Sequence, residues 1–333
     1  LCCVTIGLAG LLVIPADHAL RPASSVTVAL LDRVRSGVNL STPDRGLQTI
    51  GAPQAWAAGA TGAGVTVAVV DTGIDADDPN LAGRVVAGIN LVDRGRPPDD
   101  DNGHGTEVAG IIAASSGNAG SGNDVADAGV APEARIMPVK VLDAQGLGTA
   151  AGVAAGIDWA AAHGARVINL SLGDVIPGAL PAGIDRAMAA ATAAGAICVL
   201  AAGNDADVTD TFSSPDAVVV AALTQAGTFA PYSSGVGPAP WALSAPGTTG
   251  PAVDGDASSV GSADLSDSMS GTSIAAAYVS GALADLLSLG VGPVAALHQL
   301  LTTATPLGYR LRFGAGALNL ARAVSTDQAS AKS

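Results

Sequence analysis

Residues 65–73 read Val-Thr-Val-Ala-Val-Val-Asp-Thr-Gly. Residues 65–70 are β-branched or apolar and carry no charge, which predicts a strand buried on both faces, as in the interior of a parallel sheet. The run stops at Asp71-Thr72-Gly73. Working outward, similar short runs recur at 85–89, 136–141, 167–170, 197–201 and 218–223. Alanine-rich helical stretches lie between them at 104–114, 150–163 and 180–194. A short helix is expected at 54–58, and a long one at 273–287 whose single charge, Asp285, implies a mostly buried surface. Strands alternating with helices predict an α/β fold: a doubly wound, mostly parallel sheet with helices on both faces, in a single domain.

Composition narrows the function. The chain has 333 residues, of which 49% are hydrophobic, enough for a sizeable core. Only 3% are aromatic, which argues against stacking platforms for bases or sugars. The net charge of −14 comes with no basic cluster, so nucleic acid is not an expected partner. Three cysteines provide neither a disulfide framework nor a metal set, and Cys198, alone in an apolar run, reads as a buried inert thiol. Residues 1–20 hold an apolar run of about fourteen, the length of a signal-peptide core, and imply a secreted protein. No later segment offers a charge-free span long enough for a membrane. Residues 21–45 are polar with prolines at both ends and read as a connecting segment or linker, 46–325 as the main folded domain, and 326–333 as a disordered tail. Stretches 115–129 and 247–268 read as polar loops.

In open parallel sheets ligands bind beyond the carboxyl ends of the strands. There the chain places Asp71 after the first strand, Ser171-Leu172-Gly173 after another, and Ala202-Gly203-Asn204 after a third. Acyl transfer through serine needs a nucleophile, a base, an acid to orient the base, and donors for the oxyanion. His104 stands between two glycines just before a helical run, and imidazole has a free pKa suited to base work near neutrality. Ser273 opens the last buried helix, at the positive end of its dipole. Each residue also has a plainer use: Asp71 and Asn204 as turn residues, Ser273 as a helix cap. Their joint occurrence in glycine-marked motifs favours the catalytic assignment.

The order Asp71, His104, Asn204, Ser273 resembles the subtilisin-like serine protease family. The resemblance rests on Val69-Val70-Asp71-Thr72-Gly73-Ile74, Asn102-Gly103-His104-Gly105-Thr106 and Ser270-Gly271-Thr272-Ser273. Asn169-Leu170-Ser171-Leu172-Gly173, Ala201-Ala202-Gly203-Asn204 and Ala245-Pro246-Gly247 support it. It implies a seven-stranded type of sheet and a secreted serine endopeptidase acting on polypeptides through an acyl-enzyme. Asp71, His104 and Ser273 would form the triad, and Asn204 with the Ser273 N–H the oxyanion hole. Backbone of Ser171, Leu172, Gly173, Ala202 and Gly203 would bind substrate. The chemistry needs no cofactor, and structural calcium is compatible with the resemblance.

Several positions depart from the family pattern. Glu107 stands where a second histidine is usual, one helical turn from His104 on the same face. Ala275-Ala276-Ala277-Tyr278 replaces Ala-Ala-Pro-His, and Asp78-Pro79-Asn80 replaces His-Pro-Asp, which should weaken a calcium site. Asp124 and Asp127 offer a different place for such an ion. Asp174 and Asp205 follow the two pocket motifs and would favour basic side chains if they pointed inward. The alternative class is an inactive subtilisin-like fold that binds peptides as a scaffold. Oligomeric state is not legible in the sequence.

Overall fold

A computed structural model describes residues 27–30, 45–115, 128–173, 181–206, 214–248 and 270–330. Of the regions expected to be loops, 116–127 and 249–269 lie outside these residues, as do Asp124, Asp127 and Asp174 and the leader 1–20.

In chain order the strands are β1 (Thr27–Leu30), β2 (Thr66–Asp71), β3 (Ile89–Asn90), β4 (Arg135–Lys140), β5 (Leu147–Thr149), β6 (Val167–Leu170), β7 (Leu172–Gly173), β8 (Ile197–Ala201), β9 (Ala217–Leu223) and β10 (Ala242–Pro246). The helices are α1 (Arg45–Ile50), α2 (Ala52–Ala57), α3 (His104–Ala113), α4 (Ala150–Ala162), α5 (Ala182–Ala193), α6 (Thr272–Ser288), α7 (Pro293–Thr303), α8 (Arg310–Phe313) and α9 (Leu320–Ser330).

Seven strands form one sheet in the order β10-β9-β8-β6-β2-β4-β3. Its ladders are all parallel. The first sheet strand in the chain, β2, lies inside it. The chain then winds to β4 and β3 on one side and to β6, β8, β9 and β10 on the other. The reversal between β2 and β6 is the switch point at which open sheets hold ligands.

Burial on both faces follows the two-residue period of a strand. Val67 and Val69 face a core shared with α2, α3 and α6, while Ala68 and Val70 face a second core shared with α4 and α5. The alternation repeats in β8, where Val199 and Ala201 take the first side and Cys198 and Leu200 the second. Cys198 is a buried free thiol, as expected, and burial pushes its pKa up to about 12. Small side chains suit this packing, because each strand must fit between helices on both sides.

The differences from expectation are local. The strand expected at 85–89 shrinks to Ile89–Asn90, with Val85 making only an isolated bridge to Ile136. Strand β10, Ala-Leu-Ser-Ala-Pro, lacks the β-branched composition that marked the others. Helix α9 extends through Ser330, into the stretch expected to be disordered. Within the expected linker, residues 27–30 form a strand. That strand, β1, is the middle of a small sheet ordered β5-β1-β7. It runs antiparallel to both neighbours, with Ala29 opposite Leu147 and Gly173, and Leu30 opposite Leu172.

Candidate active site

Asp71 is the last residue of β2 and is wholly buried. The His104 ring, also buried, sets Nδ1 at 2.8 and 2.9 Å from the two Asp71 carboxylate oxygens. A neutral imidazole that donates Nδ1–H to a carboxylate carries its acceptor lone pair on Nε2, the tautomer a general base requires. Thr72 N–H donates to Asp71 Oδ1 at 2.7 Å and steadies the acid from its own chain. Gly105 makes the close approach possible: a Cβ there would lie 2.1 Å from the Gly73 carbonyl oxygen and 3.3 Å from the Asp71 Cβ.

Ser273 is the second residue of α6, and its side chain is buried. Its Oγ makes no hydrogen bond among the described residues, so no bond to the imidazole is formed in this arrangement. Such bonds are often long before substrate arrives. The Ser273 carbonyl accepts from Ser171 Oγ at 3.2 Å, which ties the helix start to the end of β6. Asn204 lies beside that start: its Oδ1 accepts from Thr272 N–H and Thr272 Oγ1, both at 3.0 Å. The amide oxygen is therefore the end held against Thr272, and Nδ2 is the donor end. Gly203 N–H donates to the same threonine hydroxyl at 3.1 Å.

The expected substrate-binding backbone falls in two places. Leu172 and Gly173 form β7, already paired with β1, whereas Ala202 and Gly203 leave β8 toward Asn204. Of the acids considered for specificity, Asp205 is exposed, with its backbone rather than its carboxylate bonded to Ser234 Oγ. Asp78 accepts from Asn80 N–H and caps a short 3₁₀ turn. Among the described residues no three His, Cys, Asp or Glu gather as a metal site.

Sequence reading missed a supporting layer. Asn169 donates to Ser171 Oγ at 2.8 Å and accepts from Ser280 Oγ at 2.9 Å, joining β6 to α6 inside the core. A lone amide in an otherwise apolar strand was the available signal, since buried polar groups need partners. Lys140, buried at the end of β4, donates to the Thr72 carbonyl and, at 2.6 Å, to Asp101 Oδ1. Asp100 accepts from Thr72, Asn102, Gly103 and Thr106. Burial alone would raise its pKa, but the bonds from Gly103, Thr106 and Thr72 outweigh burial and hold it below the usual carboxylate value.

A doubly wound parallel sheet with an acid, an imidazole and a helix-start serine at its carboxyl rim is the architecture of a serine endopeptidase. The chain belongs to the subtilase family, whose model matches residues 62–316. It is 38% identical to thermitase of Thermoactinomyces vulgaris over 258 residues, covering 75% of this chain and 84% of that protein. It is 34% identical to alkaline elastase YaB of Bacillus sp. (strain YaB) over 299 residues, 88% of this chain and 73% of the relative. Subtilisin Savinase of Lederbergia lenta is 34% identical over 282 residues, 82% of this chain and 96% of the relative.

Proposed function

We propose that the protein is a secreted endopeptidase that cleaves polypeptides through a covalent acyl-enzyme, with Ser273 as nucleophile, His104 as base and Asp71 as orienting acid. The bidentate contact of His104 Nδ1 with buried Asp71 carries this reading. Ser273 Oγ attacks the scissile carbonyl while Nε2 takes its proton, and the imidazolium then returns that proton to the leaving amine. Water repeats the cycle on the ester and releases the acid product. Asn204 Nδ2 and the Ser273 N–H, at the positive end of α6, stabilise the oxyanion of each tetrahedral intermediate.

Substrate enters as an added strand. Residues 27–30 support this, because they already lie antiparallel between β5 and β7, with Leu30 opposite Leu172 and next in register to Ser171. A peptide in the same groove would exchange main-chain bonds with Gly148, Leu172 and Gly173. We assign residues 21–45 as a propeptide tail whose strand competes with substrate for this groove. The apolar run within residues 1–20, of signal-peptide length, supports an extracellular location.

Labelling with a fluorophosphonate probe, followed by mass spectrometry, tests the assignment. An adduct on Ser273 that is absent from Ser273→Ala is the expected result. Well-folded protein that takes no label but still binds peptides would establish the inactive scaffold instead. In a labelled enzyme, Asn204→Ala should lower kcat by about 10²- to 10³-fold.

A further inference from the structure

Helix α3, which begins with His104, does not cap itself. Its N-cap is Gly103, in left-handed backbone at φ 108°, and a glycine has no side chain to offer the unpaired N–H groups of the first turn. Asp100 supplies the acceptors. Its Oδ1 accepts from Asn102 N–H at 3.1 Å and Gly103 N–H at 2.9 Å. Its Oδ2 accepts from Thr106 N–H at 2.9 Å and Thr106 Oγ1 at 2.6 Å. Of the two other donors of this turn, His104 N–H goes to Asn102 Oδ1 at 3.3 Å and Gly105 N–H to Thr72 Oγ1 at 3.0 Å, and that threonine hydroxyl donates in turn to Asp100 Oδ1 at 2.8 Å.

Thr72 follows Asp71 in the chain and also bonds to its carboxylate. A continuous path therefore runs from the Asp71 carboxylate through Thr72 to Asp100 and into the helical turn that carries the imidazole. Asp71 and His104 sit on separate elements, and this path is a second tie between them beside their own contact.

We propose that Asp100 is a positioning residue that sets the Asp71–His104 alignment by capping the helix of the base and clamping the loop of the acid. The proposal rests on the triad reading above. Both oxygens are needed: Oδ1 holds the acid loop and the N-cap, and Oδ2 holds the third residue of the helix. Asparagine offers one acceptor oxygen, and its NH₂ would face donors on the other side, so one half of the clamp must open. Thr72→Val keeps shape and removes only the bridging hydroxyl.

The test compares parent, Asp100→Asn and Thr72→Val in kcat, KM, the acid limb of the pH–rate profile and melting temperature. Asp100→Asn should lower kcat/KM about 10- to 10²-fold, the cost of a small misplacement of reacting groups, with nearly all the loss in kcat. The acid limb should move to lower pH, because a carboxylate that favours imidazolium has been removed. Thr72→Val should show a smaller loss of kcat with KM unchanged. A folded Asp100→Asn enzyme with parental kcat and acid limb, even one that melts earlier, would overturn the proposal. Should Asp100→Asn fail to fold, Thr72→Val decides, and a parental kcat there would overturn it too. A parent protein that takes no fluorophosphonate at Ser273 would sink the triad reading and this proposal together. A labelled parent with an unaffected Asp100→Asn sinks only this one.

Discussion

Asp100 and Asp285 are carboxyl groups treated in opposite ways by one fold. Asp100, half-buried before α3, receives five hydrogen bonds and is held below the ordinary carboxylate value. Asp285, wholly buried in α6, has neither oxygen bonded among the described residues, and burial raises its pKa well above the ordinary value. Depth alone does not set the charge of a buried acid; the donors aimed at it do. The first acid serves the site as an anion. The second sits in the core, where burial favours its protonated form and no donor among the described residues reaches it.

The largest effect expected from this contrast is at Asp71, a wholly buried acid that also has donors aimed at it. Asp71→Asn should lower kcat by about 10⁴-fold with the fold intact, because an amide leaves the imidazole in the wrong tautomer. Single-turnover acylation measures this directly, and a loss below tenfold would show that the carboxylate contributes little beyond packing. At Asp285 the sign reverses. The unfolded chain ionises this group near the ordinary carboxylate value of 3.8, while the folded chain keeps it protonated to higher pH. Its contribution to stability is full below the unfolded value and declines as pH rises toward the folded value. Asp285→Leu should therefore stabilise the protein by roughly 1–3 kcal/mol, more at pH 9 than at pH 5, as read by denaturant melts. Equal gains at both pH values would mean that Asp285 is ionised in the fold. The smallest effect is at Glu107, one turn from His104. Glu107→Gln should shift the acid limb of the rate profile downward by a fraction of a pH unit. An unmoved limb would show that this carboxylate does not act on the imidazole.

The inner strands were legible because burial on both faces requires unbroken apolar runs, and those at 167–170 and 197–201 coincide with β6 and β8. Strand β10 was hidden by Ser244 and Pro246, and β1 by partners far away in sequence. The candidate residues announced themselves through strand ends and flanking glycines. Their supports did not. Asp100 lies in the run Asp99-Asp100-Asp101, where nothing local shows which acid turns inward; the structure bonds Asp101 to Lys140 and leaves Asp99 exposed. The one charge expected in the long helix at 273–287 did prove buried, but its lack of a partner among the described residues is a property of the packed core that no local pattern encodes.

The parallel sheet has a consequence for how the molecule forms. No two of its strands can be joined by a tight hairpin, and β2 pairs with β4 and β6 only after long intervening stretches have been drawn in. Such non-local pairing must lose loop entropy before contacts reward it, so the folding barrier should be high and refolding slow. The same barrier, met from the native side, would slow opening, and a slowly opening chain resists the proteolysis that its own kind performs.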